Sequence, residues 1–430
     1  MTDFETIDYF TDPSVTADPF PYFEFLLERP VWREPHHGVV MVSGHNEALA
    51  VLNDPQTFSS CTVLAGPEPS FPVELEGDDI SDIIDKYRDQ LPQSDQLPTF
   101  DPPRHTAQRG LIMGLITPKR LKENEEFMWR LADRELDEIL PHGKCEFISD
   151  FAQPYTLLVI ADLLGVPESD HDSLLGGAGI RRARAQEMAL GNLAQSSSEG
   201  DSHHALTHFY DYFVNAIEDR RRDAGDDVLT GMARATFPDG TLPDPIEAAR
   251  IASNLFAAGQ ETTVRLLGAA LQRIGDDPEL QQMLRNQREL LPNFVEETLR
   301  TEGPIKGDFR LARVSTQLGG LDIPAGTTVM VLNDVANRDP NHFECPAEFR
   351  VDRPNARHHI AFGHGIHTCP GAPLARSEVR ICLERLFDRT ADIQISEEDH
   401  GPVDARRYRY LPTYMFRGLI ALHLEFTPIR

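Results

Sequence analysis

Apolar positions fill most of the stretch from residue 245 to about 274, and the residues that open it are helix starters. Asp244 stands at the N-cap, Pro245 at the first position and Glu247 at the third. Gly275, Asp276, Asp277 and Pro278 end the pattern. In its middle, Ala257-Ala258-Gly259-Gln260-Glu261-Thr262-Thr263 interrupts the apolar run. Glycine lowers helix stability, and a threonine hydroxyl can bond a carbonyl one turn back and bend the axis. Taken alone, such a break is either an inert bend or part of a site.

Residues 111–222 are also helical in pattern, with breaks at His142-Gly143, at Gly165-Val166-Pro167 and across the polar run 195–201. The last break reads as the connection to a mobile lid. Residues 38–42, 327–332 and 419–426 have strand character. Residues 64–103, rich in Pro, Asp and Gly, read as a long loop with one short helix, and long loops in compact domains are usually functional. There is no internal repeat. The pattern predicts a mainly α protein with a minor β region, as one domain over residues 1–430.

Composition narrows the function. With 40% hydrophobic and 26% charged residues the chain is ordinary globular protein, able to enclose a large cofactor. Acidic residues number 69 against 41 basic, a net charge of −28, which disfavours nucleic acid and anionic membrane as partners. The five cysteines, Cys61, Cys145, Cys345, Cys369 and Cys382, show no C-x-x-C spacing, so a disulfide framework or zinc site is not expected. The opening residues Met1-Thr2-Asp3-Phe4-Glu5 are acidic and carry no apolar run, so neither a signal peptide nor a membrane anchor is expected. The expectation is a cytoplasmic monomer.

One cysteine stands apart. Phe362-Gly363-His364-Gly365-Ile366-His367-Thr368-Cys369-Pro370-Gly371 places Cys369 at the end of a glycine-punctuated loop, just before a helical stretch. The glycines allow tight turning and close approach to a flat ligand. Pro370 suits the first helical position, and the amides of Gly371 and Ala372 would then favour a thiolate at the positive end of the helix. Pro370 has no N–H to give the sulfur, which should leave the thiolate more electron-donating and lower the potential of a bound metal.

This segment resembles the haem-binding loop of the cytochrome P450 family, F-x-x-G-x-H-x-C-x-G. The resemblance implies haem b, with Cys369 as axial iron ligand, Phe362 packed near the sulfur, His367 reaching a propionate and Gly371 closing the motif. The interrupted helix is similar to the family's [A/G]-G-x-[D/E]-T-T, which implies that Thr262 bonds the reacting oxygen and Glu261 relays protons. Glu297-Thr298-Leu299-Arg300 matches the family's E-x-x-R pair, with Arg353 as its third partner, a structural trio. His105, Arg109, Arg310 and His359 resemble the propionate anchors. Residues 160–167 are similar to a stretch recurrent in bacterial members. The fold implied is the cytochrome P450 fold, with haem between the central helix and the cysteine loop.

Substrate signals are thinner. Asn254 and Ala258 precede Thr262 on one helix face; Asn254 either orients a polar substrate group or bonds the local backbone. Lys306 either pairs with a substrate carboxylate or points to solvent. Phe309, Met415, Phe416 and the region 64–97 are candidate apolar walls.

The activity implied is a monooxygenase that hydroxylates an unactivated C–H of a hydrophobic small molecule, with O₂ and electrons from a ferredoxin and its reductase. A peroxide-driven peroxygenase and a haem sensor without turnover are the alternatives; Glu261-Thr262 argues against both. No flavin or iron–sulfur domain is expected within the chain. Arg109, Arg376 and Arg380 are the candidate docking cations, although Arg376 has an equal claim to bracing the loop.

Overall fold

The computed structural model describes residues 3–113, 115–175 and 201–429. By contact the chain divides into two compact units. The first contains Met1–Arg109, Leu299–Cys369 and Pro412–Arg417; the second contains Gly110–Thr298, Pro370–Leu411 and Gly418–Arg430. One of the points at which the chain passes from the first unit to the second is the Cys369–Pro370 peptide bond.

The first unit is built on a five-stranded sheet. In spatial order its strands are Val31–Arg33, Val40–Val42, Thr328–Val331, Asp308–Ala312 and Phe58–Ser59. Val40–Val42 and Thr328–Val331 run parallel, and the other pairings are antiparallel. Both central strands are buried at every position, which explains why they read as unbroken apolar runs rather than alternating ones. Tyr9, Phe10, Tyr22, Phe23, Phe309, Met330 and Tyr414 form an aromatic-rich core of this unit.

The second unit is helical. Its axis is the helix Pro245–Asp276, packed against Gln153–Leu164 and Asp201–Arg222. Asp244 caps it as expected, its carboxylate accepting from the Ile246 amide at 2.9 Å. The helix runs through Gly275 instead of stopping at 274. That glycine meets the Ile395 side chain, which a Cβ would approach to 2.7 Å, so its role is close packing. The stop comes at Asp277, whose carboxylate caps the next helix, Pro278–Asn286.

A three-stranded sheet, Lys144–Glu146, His423–Pro428 and Thr390–Ile395, completes this unit. The strand expected over 419–426 begins only at His423; Leu419 makes an isolated bridge to Tyr410. Lys144–Glu146 sits inside the stretch read as helical, because three residues are too few to show a period. The expected loop 64–103 carries the helix Ser81–Tyr87 and two short 3-10 turns. The expected lid connection at 195–201 lies outside the described residues except for Asp201. No helix among the described residues is long and apolar enough to cross a membrane.

Gly165 ends the helix Gln153–Leu164 in the left-handed region, φ +90°, and its amide bonds the carbonyls of Ala161 and Asp162. An added Cβ would meet Asp227 at 2.2 Å, and Asp227 caps Val228–Arg234 while pairing with Arg220. Gly165→Ala should therefore lower the thermal midpoint, with about 1–2 kcal/mol from backbone strain alone and more from the overlap. An unchanged midpoint in calorimetry would contradict this account.

Candidate active site

In the first unit the cysteine loop has the shape its glycines require. Gly363 and Gly365 adopt φ +67° and +69°, and a Cβ on Gly365 would meet the Leu52 carbonyl at 2.5 Å. The Cys369 amide donates to the Phe362 carbonyl at 2.8 Å and closes the loop. The expected helix start needs correction. Pro370 precedes the helix, which is Ala372–Arg389 with Gly371 as N-cap and Pro373 in the first turn. Proline is accepted at either place because its missing N–H costs nothing there.

Around this loop the first unit gathers buried donors without acceptors. His105 is 2% exposed, and neither of its ring nitrogens has a partner among the described residues. Its ring lies 4.1 Å from that of His367, whose Nε2 is likewise without a partner. Arg310 is buried, with its guanidinium donating to the Phe309 carbonyl at 2.7 Å and no carboxylate at ion-pair distance among the described residues. Arg109 donates to the Thr368 carbonyl and lies close enough to Cys369 to feel its charge.

Burial pulls the His367 imidazole down to about 2, helped by the positive charge of Arg310 and Arg109 and by His105. Burial likewise lowers His105, helped by Arg109. His359 accepts the Ala361 amide on Nδ1 at 3.1 Å, so its proton sits on Nε2 as a donor. The Phe362 ring lies 5.8 Å from it. Orphaned buried donors normally cost on the order of 1–3 kcal/mol each, so a cluster of them marks a place for an anion. Two carboxylates of a haem, beside a thiolate for its iron, fit this donor set.

The expected structural trio is Glu297, Arg300 and Arg353. Arg300 and Arg353 are almost wholly buried, and so is Glu297. Arg300 donates to the carbonyls of Asn337, Pro346 and Glu348; Arg353 donates to those of Glu344, Cys345 and Glu348. Together they hold the stretch 337–348.

In the second unit, Asn254, Ala258 and Thr262 share one face of the long helix; Ala258 is exposed and the other two are partly so. Thr262 Oγ1 donates to the Ala258 carbonyl at 2.9 Å, the back-bond that the sequence suggested. Gly259 leaves room for Ile160, whose side chain a Cβ would meet at 3.4 Å. Glu261 pairs with Arg265 one turn along, and Arg265 is buried. Arg265 in turn needs Gly418, where a Cβ would come within 2.6 Å of its stem.

Sequence reasoning missed Glu378. Burial holds its carboxyl well above the usual range, although a bond with Thr263 opposes this.

Three expectations are corrected. Phe309 is fully buried in the aromatic core and stacks on Phe10 at 6.2 Å. Met415 packs on the same core, while Phe416 is partly exposed. Lys306 does not point to solvent: it is 1% exposed, and its ammonium donates to the Thr413 carbonyl at 2.6 Å. That tie links it to the segment whose Phe416 bridges Ile305. Arg376 and Arg380 are not a bare basic patch. Arg376 pairs with the buried Glu296 at 2.7 Å, and Arg380 pairs with Glu125 and Glu384.

A profile described as Cytochrome P450 matches residues 196–391. The chain is 32% identical over 421 residues to the cytochrome P450 monooxygenase PikC of Streptomyces venezuelae, covering 95% of this chain and 91% of that one. It is 52% identical to the substrate-free Mycobacterium marinum cytochrome P450 CYP150A6, with all of both chains covered and a TM-score of 0.91. The Bacillus megaterium CYP109E1 structure in complex with testosterone is 27% identical, with a TM-score of 0.77 over 95% of this chain and 99% of that one.

Burial pulls Lys306 from 10.5 down to about 8. Between those values the unfolded chain holds a proton that the folded one has released, so stability rises with pH across this window. The rise is on the order of 3 kcal/mol when complete. Lys306→Met should flatten it in urea titrations from pH 7 to 10. A slope equal to that of the parent would place the titration elsewhere.

Proposed function

Because the chain belongs to the cytochrome P450 family of monooxygenases, we propose that it hydroxylates an unactivated C–H bond of a hydrophobic small molecule, using haem b, O₂ and electrons from a ferredoxin and its reductase. In this reading residues 1–430 act as one catalytic domain, a monomer in the cytoplasm. The observation that carries it is the set of buried donors in the first unit: among the described residues, His105 and His367 have orphaned nitrogens and Arg310 has no carboxylate at ion-pair distance. Buried donors left without acceptors are costly, and their grouping beside the cysteine loop supports an anionic ligand there.

Cys369 would ligate the iron, and His105, Arg109, Arg310, His359 and His367 would receive the propionates. Phe362 would shield the sulfur, and Gly371 would start the following helix without a side chain. Haem held by a cysteine thiolate supplies the electron push that favours O–O cleavage.

The chain's own residues manage the protons. Thr262 Oγ1 rests with its hydrogen on the Ala258 carbonyl, so its lone pairs are left to accept a bond from a water or a protonated oxygen. Glu261 is kept in place by the Arg265 guanidinium and stands one residue from that hydroxyl. An acid next to an alcohol suits the delivery of protons to oxygen, which favours O₂ over peroxide as oxidant. Asn254 and Ala258, on the face of Thr262, and Phe416 are the remaining substrate contacts proposed. The relative solved with testosterone supports a hydrophobic substrate.

Cys369→Ser should abolish the strongly red-shifted Soret band of the reduced carbonyl complex, while Cys345→Ser and Cys382→Ser keep it. Loss of the band in either of the latter instead would sink the assignment of the ligand.

Thr262→Ala should retain substrate binding, measured by spin-state shift, yet divert electrons into hydrogen peroxide. Product formation should fall about a hundredfold or more, as is common when a positioned proton carrier is lost. Unchanged coupling of electrons to product would remove Thr262 from proton delivery.

A further inference from the structure

The first two strands of the first unit are joined by a turn, Glu34-Pro35-His36-His37-Gly38, that meets two other segments. Glu34 is fully buried, and its carboxylate accepts the amides of His36 at 3.0 Å and His37 at 2.6 Å. Gly38 closes the turn at φ +69°, its amide donating to the Glu34 carbonyl at 3.1 Å. The two histidine side chains therefore project from a fixed base. His36 Nε2 meets the Thr6 carbonyl at 2.9 Å. His37 has a carboxylate at each ring nitrogen: Asp8 at 3.1 Å from Nε2 and Glu68 at 2.6 Å from Nδ1.

We propose that His37 is a proton-dependent staple, holding both residues 3–12 and the irregular loop 64–76 to the hairpin tip while its ring is doubly protonated and able to hold only one of them at a time when it is not.

The argument is one of hydrogen counting. A carboxylate only accepts, so each ring nitrogen must carry a hydrogen for both contacts to be favourable. That is the imidazolium. A neutral ring has one N–H and one lone pair, and the lone pair would face a carboxylate oxygen across hydrogen-bond distance. One of the two contacts must then open.

The groups facing the ring are Asp8 and the edge of Phe10 from the amino-terminal segment, Glu68 from the loop, and Glu34 from its own turn. Burial works against the charged ring, but the bonds to Glu68 and Asp8 and the charges of Asp8 and Glu34 outweigh it and raise His37. Burial would also raise Asp8, yet the bonds it accepts from Thr11, His37 and the Phe10 amide hold it below the usual range.

The sign follows. With the folded pKa raised, the staple is complete below the ordinary histidine range and is lost as pH rises through the higher folded value. What it ties down is packed apolar chain. Tyr9 and Phe10 belong to the aromatic core, and Phe71 and Leu75 pack on the cluster of Cys61, Ile80, Ile84 and Leu311. The device needs no cofactor, so it stands or falls apart from the haem reading.

The test is hydrogen–deuterium exchange of the full-length protein from pH 6 to 9, with protection normalised for the intrinsic pH dependence of exchange. The His37 ring is titrated in parallel by nitrogen NMR. Protection of residues 3–12 and 64–76 should fall together as the ring deprotonates, by about tenfold for each unit by which its pKa is raised. His37→Gln should give low protection with no such step. Glu68→Gln, a surface change that folding tolerates, should remove the step from 64–76 and keep it in 3–12. Protection that stays flat while His37 titrates, or a step that survives His37→Gln, would overturn the proposal. A loop step that survives Glu68→Gln would overturn its second arm.

Discussion

Two guanidinium groups buried without exposure to water, those of Arg300 and Arg353, organise the chain that leads to the cysteine loop. Each takes three carbonyl oxygens from residues 337–348, a stretch with no helix or strand of its own. Irregular backbone can be buried only if its carbonyls find donors, and an arginine offers five in a fixed fork. Charge-assisted bonds of this kind contribute roughly 1.5–3 kcal/mol each, and an orphaned carbonyl in the same place would cost a similar amount. The Arg300 guanidinium also sits 5.2 Å from the Phe343 ring, so its face as well as its edge is used. Everything downstream, from His359 to Cys369, is placed by a segment that these two side chains hold in shape.

What could be read from the sequence was what local chemistry dictates. The cap of the long helix, its threonine back-bond and the left-handed glycines at 363 and 365 are short-range facts, and each emerged where its residue type demanded it. The buried donors around Cys369 were legible through their resemblance to known anchors. Side-chain direction was not legible. Lys306 and Phe309 lie in one short stretch, but whether each faces solvent, ligand or core depends on strand parity and on what the distant residues 413–416 bring to them. The pairing of Arg376 with Glu296 and of Arg380 with Glu125 had the same cause: a cation's partner can lie 80 or 255 residues away. Glu378 was invisible for a third reason, since nothing in a sequence marks a carboxyl whose pKa burial will raise.

In the second unit several buried or half-buried cations have a carboxylate partner within the unit: Arg265 has Glu261, Arg376 has Glu296 and Arg220 has Asp227. In the first, the set around Cys369 is left with donors in excess, although other cations of that unit are matched, as Arg417 is by Glu302. A local imbalance beside the cysteine loop is a better pointer to a ligand than the net charge of the whole chain, which has the opposite sign.

The room that Gly418 gives to Arg265 has a consequence for how this protein can change. The two positions lie 153 residues apart, yet the arginine stem occupies the volume where a methyl group would stand. A larger residue at 418 becomes tolerable only once 265 has been shortened, and shortening 265 first leaves Glu261 without its buried counter-charge. Neither substitution is neutral as a first step. The pair should therefore be inherited together, and a homologue that replaces the glycine would be expected to have found another way to hold the acid.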